Sequence, residues 1–106
     1  MSHRVQLTRR AYTDVDVLFA FVKRRSGVIS AERWRDALFK RLSKLESTPE
    51  MWPQVDDPEL EQHQLREYLF RYWRNVYRIF FRIDGEIVRI HRIRHSAQEG
   101  LMAEDI

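Results

Sequence analysis

Residues 77–95 read YRIFFRIDGEIVRIHRIRH. Asp84-Gly85 separates two runs of β-branched and aromatic residues, and an Asp-Gly pair so placed is a strong signal for a two-residue hairpin turn with positive φ. With Asp84 and Gly85 as the loop, Ile83 faces Glu86, Phe81 faces Val88, Ile79 faces Ile90 and Tyr77 faces Arg92. Successive side chains alternate across a sheet, so the other face pairs Arg82 with Ile87, Phe80 with Arg89, Arg78 with His91 and Val76 with Ile93. One face is mostly apolar, and the other collects three arginines, a histidine and a phenylalanine. The same parity puts His95 on the Arg78 face.

Clustered cations repel one another on neighbouring strand positions, and Glu86 is the one acid expected within the hairpin strands. An anionic ligand or partner is therefore expected beside this face. The simpler alternative is a solvated outer face of long cationic side chains. A third reading has the acidic loop around residues 56–61, or the acidic C-terminal end, folding over the face and neutralising it.

The rest of the chain supplies a cover for the apolar face. Val5 and Leu7 alternate with polar neighbours in a short first strand, and Thr8 is placed to cap the following helix. Ala11, Val15, Leu18, Phe19 and Val22 recur at helical spacing until Ser26-Gly27. Ser30 then reads as the cap of a second helix, with Trp34, Ala37, Leu38, Leu42 and Leu45 along one stripe. Residues 47–64 hold three prolines and an acidic run and read as an irregular connection. A second strand follows over residues 65–72, LREYLFRY, before the hairpin. The order β-α-α-β-β-β predicts an α+β domain spanning residues 1–106, an antiparallel sheet with a helical hairpin on one face and the basic face open.

Composition narrows the function. At 106 residues one modest core is expected, burying roughly 60–65% of the unfolded chain's surface. Nineteen Lys and Arg against sixteen Asp and Glu leave a net charge of +3, and the arginine bias suits bidentate contacts to phosphate and carboxylate. No cysteine is present and the four histidines have no ligand spacing, which argues against a zinc site. No cofactor is expected, because no Gly-rich phosphate loop occurs. No stretch approaches the ~20 apolar residues of a membrane span, and the N-terminus lacks the apolar run of a signal peptide. A cytoplasmic protein without membrane contact is the expectation.

The stretch LREYLFRYWRNVYRIFFRIDGEIVRIHRIRH resembles the C-terminal half of the RelE/ParE superfamily of toxins from type II bacterial toxin–antitoxin modules, the plasmid-stabilisation type of protein. Arg66-Glu67 opens the second strand, Tyr77-Arg78-Ile79 begins the third, Asp84-Gly85 makes the turn and His95 ends the fourth, as in many members. Thr8, Ala11 and Asp14 add support at the first helix. The resemblance implies a toxin held inactive by a cognate antitoxin, whose extended or helical segment wraps it and whose acidic residues meet the basic face, with higher-order toxin–antitoxin complexes as a further expectation.

Two targets follow from the resemblance. A ParE-like member inhibits DNA gyrase. A RelE-like member cuts mRNA on the ribosome without a metal, by attack of a 2′-hydroxyl on the adjacent phosphate. In that case Arg78 would stabilise the phosphorane charge, His95 would act as acid or base, and Arg66 and Arg82 would contact phosphate. Arg89 and His91 complete the candidate target-binding face. The tail after His95 lacks the additional tyrosine or arginine of such ribonucleases, so the ParE-like reading leads. A homologue without toxicity, acting only as a protein-binding module, is the third reading. His3 and His63 receive no role.

Overall fold

A computed structural model describes residues 3–98 and 100–106 of the chain. It contains β1 (Arg4–Leu7), α1 (Arg9–Ser26), α2 (Val28–Ser43), β2 (Arg66–Tyr72), β3 (Asn75–Asp84) and β4 (Ile87–His95), with short 3-10 turns between α2 and β2 and near the C-terminus. The predicted α+β order holds. The sheet order is β1-β4-β3-β2, and β1 runs parallel to β4 whereas the other pairs are antiparallel. Strand periodicity carries no information about pairing between the two ends of the chain, so the direction of β1 was not readable.

Thr8 caps α1 as its residue type predicts, its Oγ1 accepting the Ala11 N–H at 3.1 Å. The same hydroxyl donates to the His91 carbonyl at 3.0 Å, which fastens the helix start to β4. Gly27 alone joins the two helices, at φ 90, where an L side chain would be strained. Its N–H closes α1 on the Lys23 carbonyl and its own carbonyl accepts from Ala31 in α2. The chain reverses in one residue, so α2 opens at Val28 and Ser30 lies inside the helix rather than capping it.

The helical stripes fall where the 3.6-residue period places them. Ala11, Val15 and Leu18 of α1 and Trp34, Leu38 and Leu42 of α2 are buried against Tyr68, Phe70, Tyr77, Ile79, Phe81, Val88 and Ile90 of the sheet.

The hairpin differs from its expected register in two ways. Asp84 pairs with Ile87, leaving Gly85 and Glu86 as the loop, with Gly85 at φ 60. Ile83 thus faces Val88 and Phe81 faces Ile90. This is a shift of two residues, which keeps every side chain on its expected face. The second change reverses faces. Phe81 pairs with Ile90 but Phe80 pairs with Arg92, so His91 is an extra residue and β4 bulges there. Beyond the bulge Ile93 faces Ile79 and His95 faces Tyr77 on the helix side, while Arg92 and Arg94 join Phe80 and Arg78 on the other. His95 is therefore not on the Arg78 face.

The basic face is also not open. Phe80 points into it and is fully buried, packed with Leu60 and Leu65 of the long connection and Leu101 of the C-terminal segment. A large apolar side chain on that side needs a cover, and these three leucines supply it.

Candidate functional site

Every arginine proposed for target contact has an internal partner. Arg78 donates to Glu67 Oε2 on β2 from Nε at 3.2 Å and Nη2 at 2.7 Å, and its guanidinium stacks 5.0 Å from the Phe80 ring centroid. Arg82 and Arg89 share Asp84, at 2.9 and 3.2 Å. The Arg82 hydrogen bond holds the Asp84 carboxyl below its usual range, with Arg89 adding to the effect against the opposing cost of burial. Arg66 donates from Nη1 to the carbonyls of Glu50 and Trp52, at 3.0 and 2.6 Å. It pins the 3-10 turn at Pro49–Met51 to the sheet rather than projecting toward a ligand.

Arg92 and Arg94, moved to this face by the bulge, meet acids from both ends of the chain. Asp14 of α1 takes Arg92 Nε and Nη2 at 2.8 and 2.9 Å, and the same carboxylate accepts the Ile93 N–H at 2.9 Å. Asp105 lies 3.7 Å from Arg92 and 3.3 Å from Arg94. The expected anionic neighbours of the basic face are thus the chain's own Glu67, Asp84, Asp14 and Asp105, including the folded-back C-terminal end.

His91, the bulge residue, sits among Arg82, Arg89 and His63. Its Nε2 is buried with no hydrogen-bond partner. Burial, followed by Arg82 and then Arg89 and His63, lowers its pKa, with Asp84 acting in the opposite direction. A histidine with a lowered folded pKa binds fewer protons than the unfolded chain in the window just below its ordinary value. Stability is therefore expected to fall as pH drops from about 6.5. Urea midpoints measured at pH 7.5 and 5.5 should move closer together in His91→Gln, and an unchanged difference would refute this origin.

His95 occupies a separate environment. Its ring stands edge-on to Tyr77, centroids 5.1 Å apart. Nδ1 accepts the Ala97 N–H at 3.0 Å, so Nε2 carries the proton and donates to Asn75 Oδ1 at 2.9 Å. The His95 N–H donates to Gln98 Oε1 at 2.7 Å. Nδ1 thus holds the turn that ends β4, and Nε2 ties it to the start of β3. Arg78 and His95, which the ribonuclease reading needs on one side, lie on opposite faces of the sheet.

One feature was missed in the sequence. A groove of about 830 Å³ runs between the helical hairpin and the β2–β3 turn, lined by Val17, Phe21, Trp34, Trp73, Tyr77 and His95 among others. Its rim is apolar and exposed: Val17 is 57%, Phe21 47% and Trp73 88% accessible. Arg25, stacked 5.6 Å from the Phe21 centroid, and Arg33 border it. Val17 and Phe21 stand four apart on α1, off the stripe that Ala11 and Val15 define, and that spacing was the available signal. Among the described residues no group of three or more His, Cys, Asp or Glu could hold a metal, and no helix is long and apolar enough to cross a membrane.

This architecture is shared with a chain in a solved structure described as the chromosomal ParDE TA system from P. aeruginosa. The match has a TM-score of 0.71 and 18% identity, and covers 89% of this chain and 96% of that one. No curated relative matches by sequence. The sequence profile for the ParE toxin of type II toxin-antitoxin systems, parDE, matches residues 5–100. The chain belongs to the ParE toxin family, and is the toxin component of a type II toxin–antitoxin module.

Proposed function

We propose that this toxin acts in the cytoplasm by inhibiting DNA gyrase, and that a cognate antitoxin neutralises it. The observation that supports this over mRNA cleavage is the His91 bulge, which separates His95 from Arg78 by the thickness of the sheet. Metal-free cleavage requires a proton-transfer group and a cation to converge on one phosphate. Arg78, engaged by Glu67, and His95, engaged at both nitrogens, do not converge. Arg82 and Arg89 share the single carboxylate of Asp84, so this pair keeps one net positive charge beside His91 and forms the target-facing part of the sheet.

Adding the purified chain to a gyrase supercoiling assay is expected to inhibit the enzyme. Arg78→Ala and His95→Ala should each retain most of that inhibition, since contacts spread over a surface make single losses weak. Ribosome-dependent message cleavage that disappears in Arg78→Ala, with supercoiling unaffected, would replace this reading by the ribonuclease one.

The apolar groove is the surface we assign to the antitoxin. Exposed aromatic residues around a concavity provide anchors of the kind that dominate binding energy. Arg25 and Arg33 at its border would meet acidic residues flanking the apolar face of an antitoxin helix. Phe21→Glu, at a half-exposed position that leaves the core intact, is expected to weaken antitoxin binding by about thirtyfold or more. Titration calorimetry with the cognate antitoxin checks this, and unchanged affinity would remove the groove from the interface.

A further inference from the structure

The β2–β3 turn consists of Trp73 and Arg74, because Tyr72 pairs with Asn75. Trp73 sits there at φ 56, in the left-handed region where a bulky side chain is rare and where hairpins place glycine, asparagine or aspartate. Packing does not compensate for this backbone. The residue is 88% exposed, and its ring contact among the described residues is with Tyr72, centroids 6.4 Å apart at 73°. The indole is therefore open to solvent at the tip of a tight turn. A strained position with no return in burial points to a side chain kept for contact with another molecule.

The surroundings specify the chemistry of that molecule. Trp73 lines the groove of about 830 Å³ together with Phe21, Arg25 and Arg33, and no acidic residue lines it. Arg71, two positions before Trp73, borders a second cleft of about 440 Å³ with Lys40 and Lys44, again without an acidic residue. Arg25, Arg33, Arg71, Arg74, Lys40 and Lys44 form no ion pair among the described residues. The basic sheet face pairs Arg78, Arg82, Arg89, Arg92 and Arg94 with carboxylates. The cations around this turn are left without one.

We propose that the β2–β3 turn binds single-stranded nucleic acid, with an unpaired base stacked on the Trp73 indole and the flanking phosphates held by Arg71 and Arg74. Open aromatic faces beside a cationic track take single strands irrespective of sequence, since every base has a π face. The groove has the volume of a small-molecule site and so has room for the stacked base, with Arg25 and Arg33 at its border. Lys40 and Lys44 continue the cationic track past Arg71. An acidic peptide supplies charge without a planar partner for the indole, whereas a strand supplies both at each nucleotide. A duplex keeps its bases stacked on one another and offers the indole no face. The antitoxin helix assigned to the groove and a stacked base would exclude each other, so the strand is a ligand of the free toxin. The inference concerns the isolated chain and depends on neither gyrase nor the antitoxin's seat, so its test fails separately from theirs.

The test is fluorescence anisotropy of labelled oligothymidylate and oligouridylate with the full chain at about 0.1 M salt. A Kd of about 1–100 μM is expected, the range of sequence-independent binding, and a duplex of equal length should bind more weakly. Trp73→Gly suits the positive φ and removes no buried side chain, so it should melt no lower than the unmodified chain. It should nonetheless bind about tenfold more weakly, the scale of one lost stacking contact. Trp73→Phe keeps a ring and should retain most of the affinity. Arg74→Ala should flatten the dependence of log K on log salt by about 0.7, one phosphate contact on a single strand. Tighter binding of thymidylate assigns a DNA strand and of uridylate an RNA strand, and either supports the site. A Kd above about 0.1 mM for both, unchanged affinity in Trp73→Gly, or a duplex bound as tightly would each overturn the inference.

Discussion

Trp34→Ala is expected to destabilise the fold by about 4 kcal/mol, as for the loss of a large aromatic from a closed core. Trp34 is fully buried at the centre of the helix–sheet interface, between the α1 stripe and β3, with its ring 5.6 Å from that of Tyr77. Both the transfer of the indole from water and the cavity left among Leu38, Ile79 and Tyr77 contribute. A chain of this size has a total stability of about 5–15 kcal/mol, so the loss should lower Tm by about 15 °C or more. Trp34→Phe should cost much less. It keeps most of the volume and removes an indole N–H that has no hydrogen-bond partner of good geometry. Burial pushes the Tyr77 phenol above its ordinary value, with the Trp34 N–H opposing it. Thermal melts of the three proteins decide the matter, and a Phe variant as unstable as the Ala variant would contradict the packing account.

Asp14→Ala is expected to cost about 2–3 kcal/mol, the second largest effect. Its carboxylate and the Arg92 guanidinium are only 13% and 15% exposed. Removing one member of such a pair leaves the other charge buried, a loss of about 3–5 kcal/mol when nothing compensates. Here the Asp105 carbonyl, 2.8 Å from Arg92 Nη1, compensates in part. The variant also loses the acceptor for the Ile93 N–H, immediately after the bulge. Asp14→Asn keeps an oxygen for that N–H and should recover part of the loss. A double-mutant cycle with Arg92→Ala in urea isolates the pair; a coupling below about 0.5 kcal/mol would show that the ion pair does not hold β4 to α1.

The order of elements was legible because it rests on local period and on strong punctuation at Thr8, Gly27 and Gly85. Faces near the hairpin turn were legible as well, since a two-residue slip preserves parity. The bulge was not read, although residues 88–93 carried its trace. Val88 and Ile90 keep the period of two, and Ile93 follows at a step of three. Phe80 beside Phe81 likewise signalled that both sides of β3 are covered. The pairing of the arginines was beyond reach for a different reason. Asp14 lies 78 residues from Arg92 along the chain, and no local pattern specifies such a contact. Candidate residues were therefore identified by type, whereas their grouping depended on a single inserted residue.

The sheet order has a consequence for how this toxin is made. β4 is the last strand to leave the ribosome, yet it occupies the interior of the sheet and is the strand that joins β1 to the rest. Before it emerges, β1 has no strand to pair with and the helical hairpin has only part of its floor. At about 5–20 residues per second, every element before β4 is synthesised before the native fold can form. Translation itself thus withholds the folded toxin until β4 has emerged, and an antitoxin already present would meet the toxin at its first appearance.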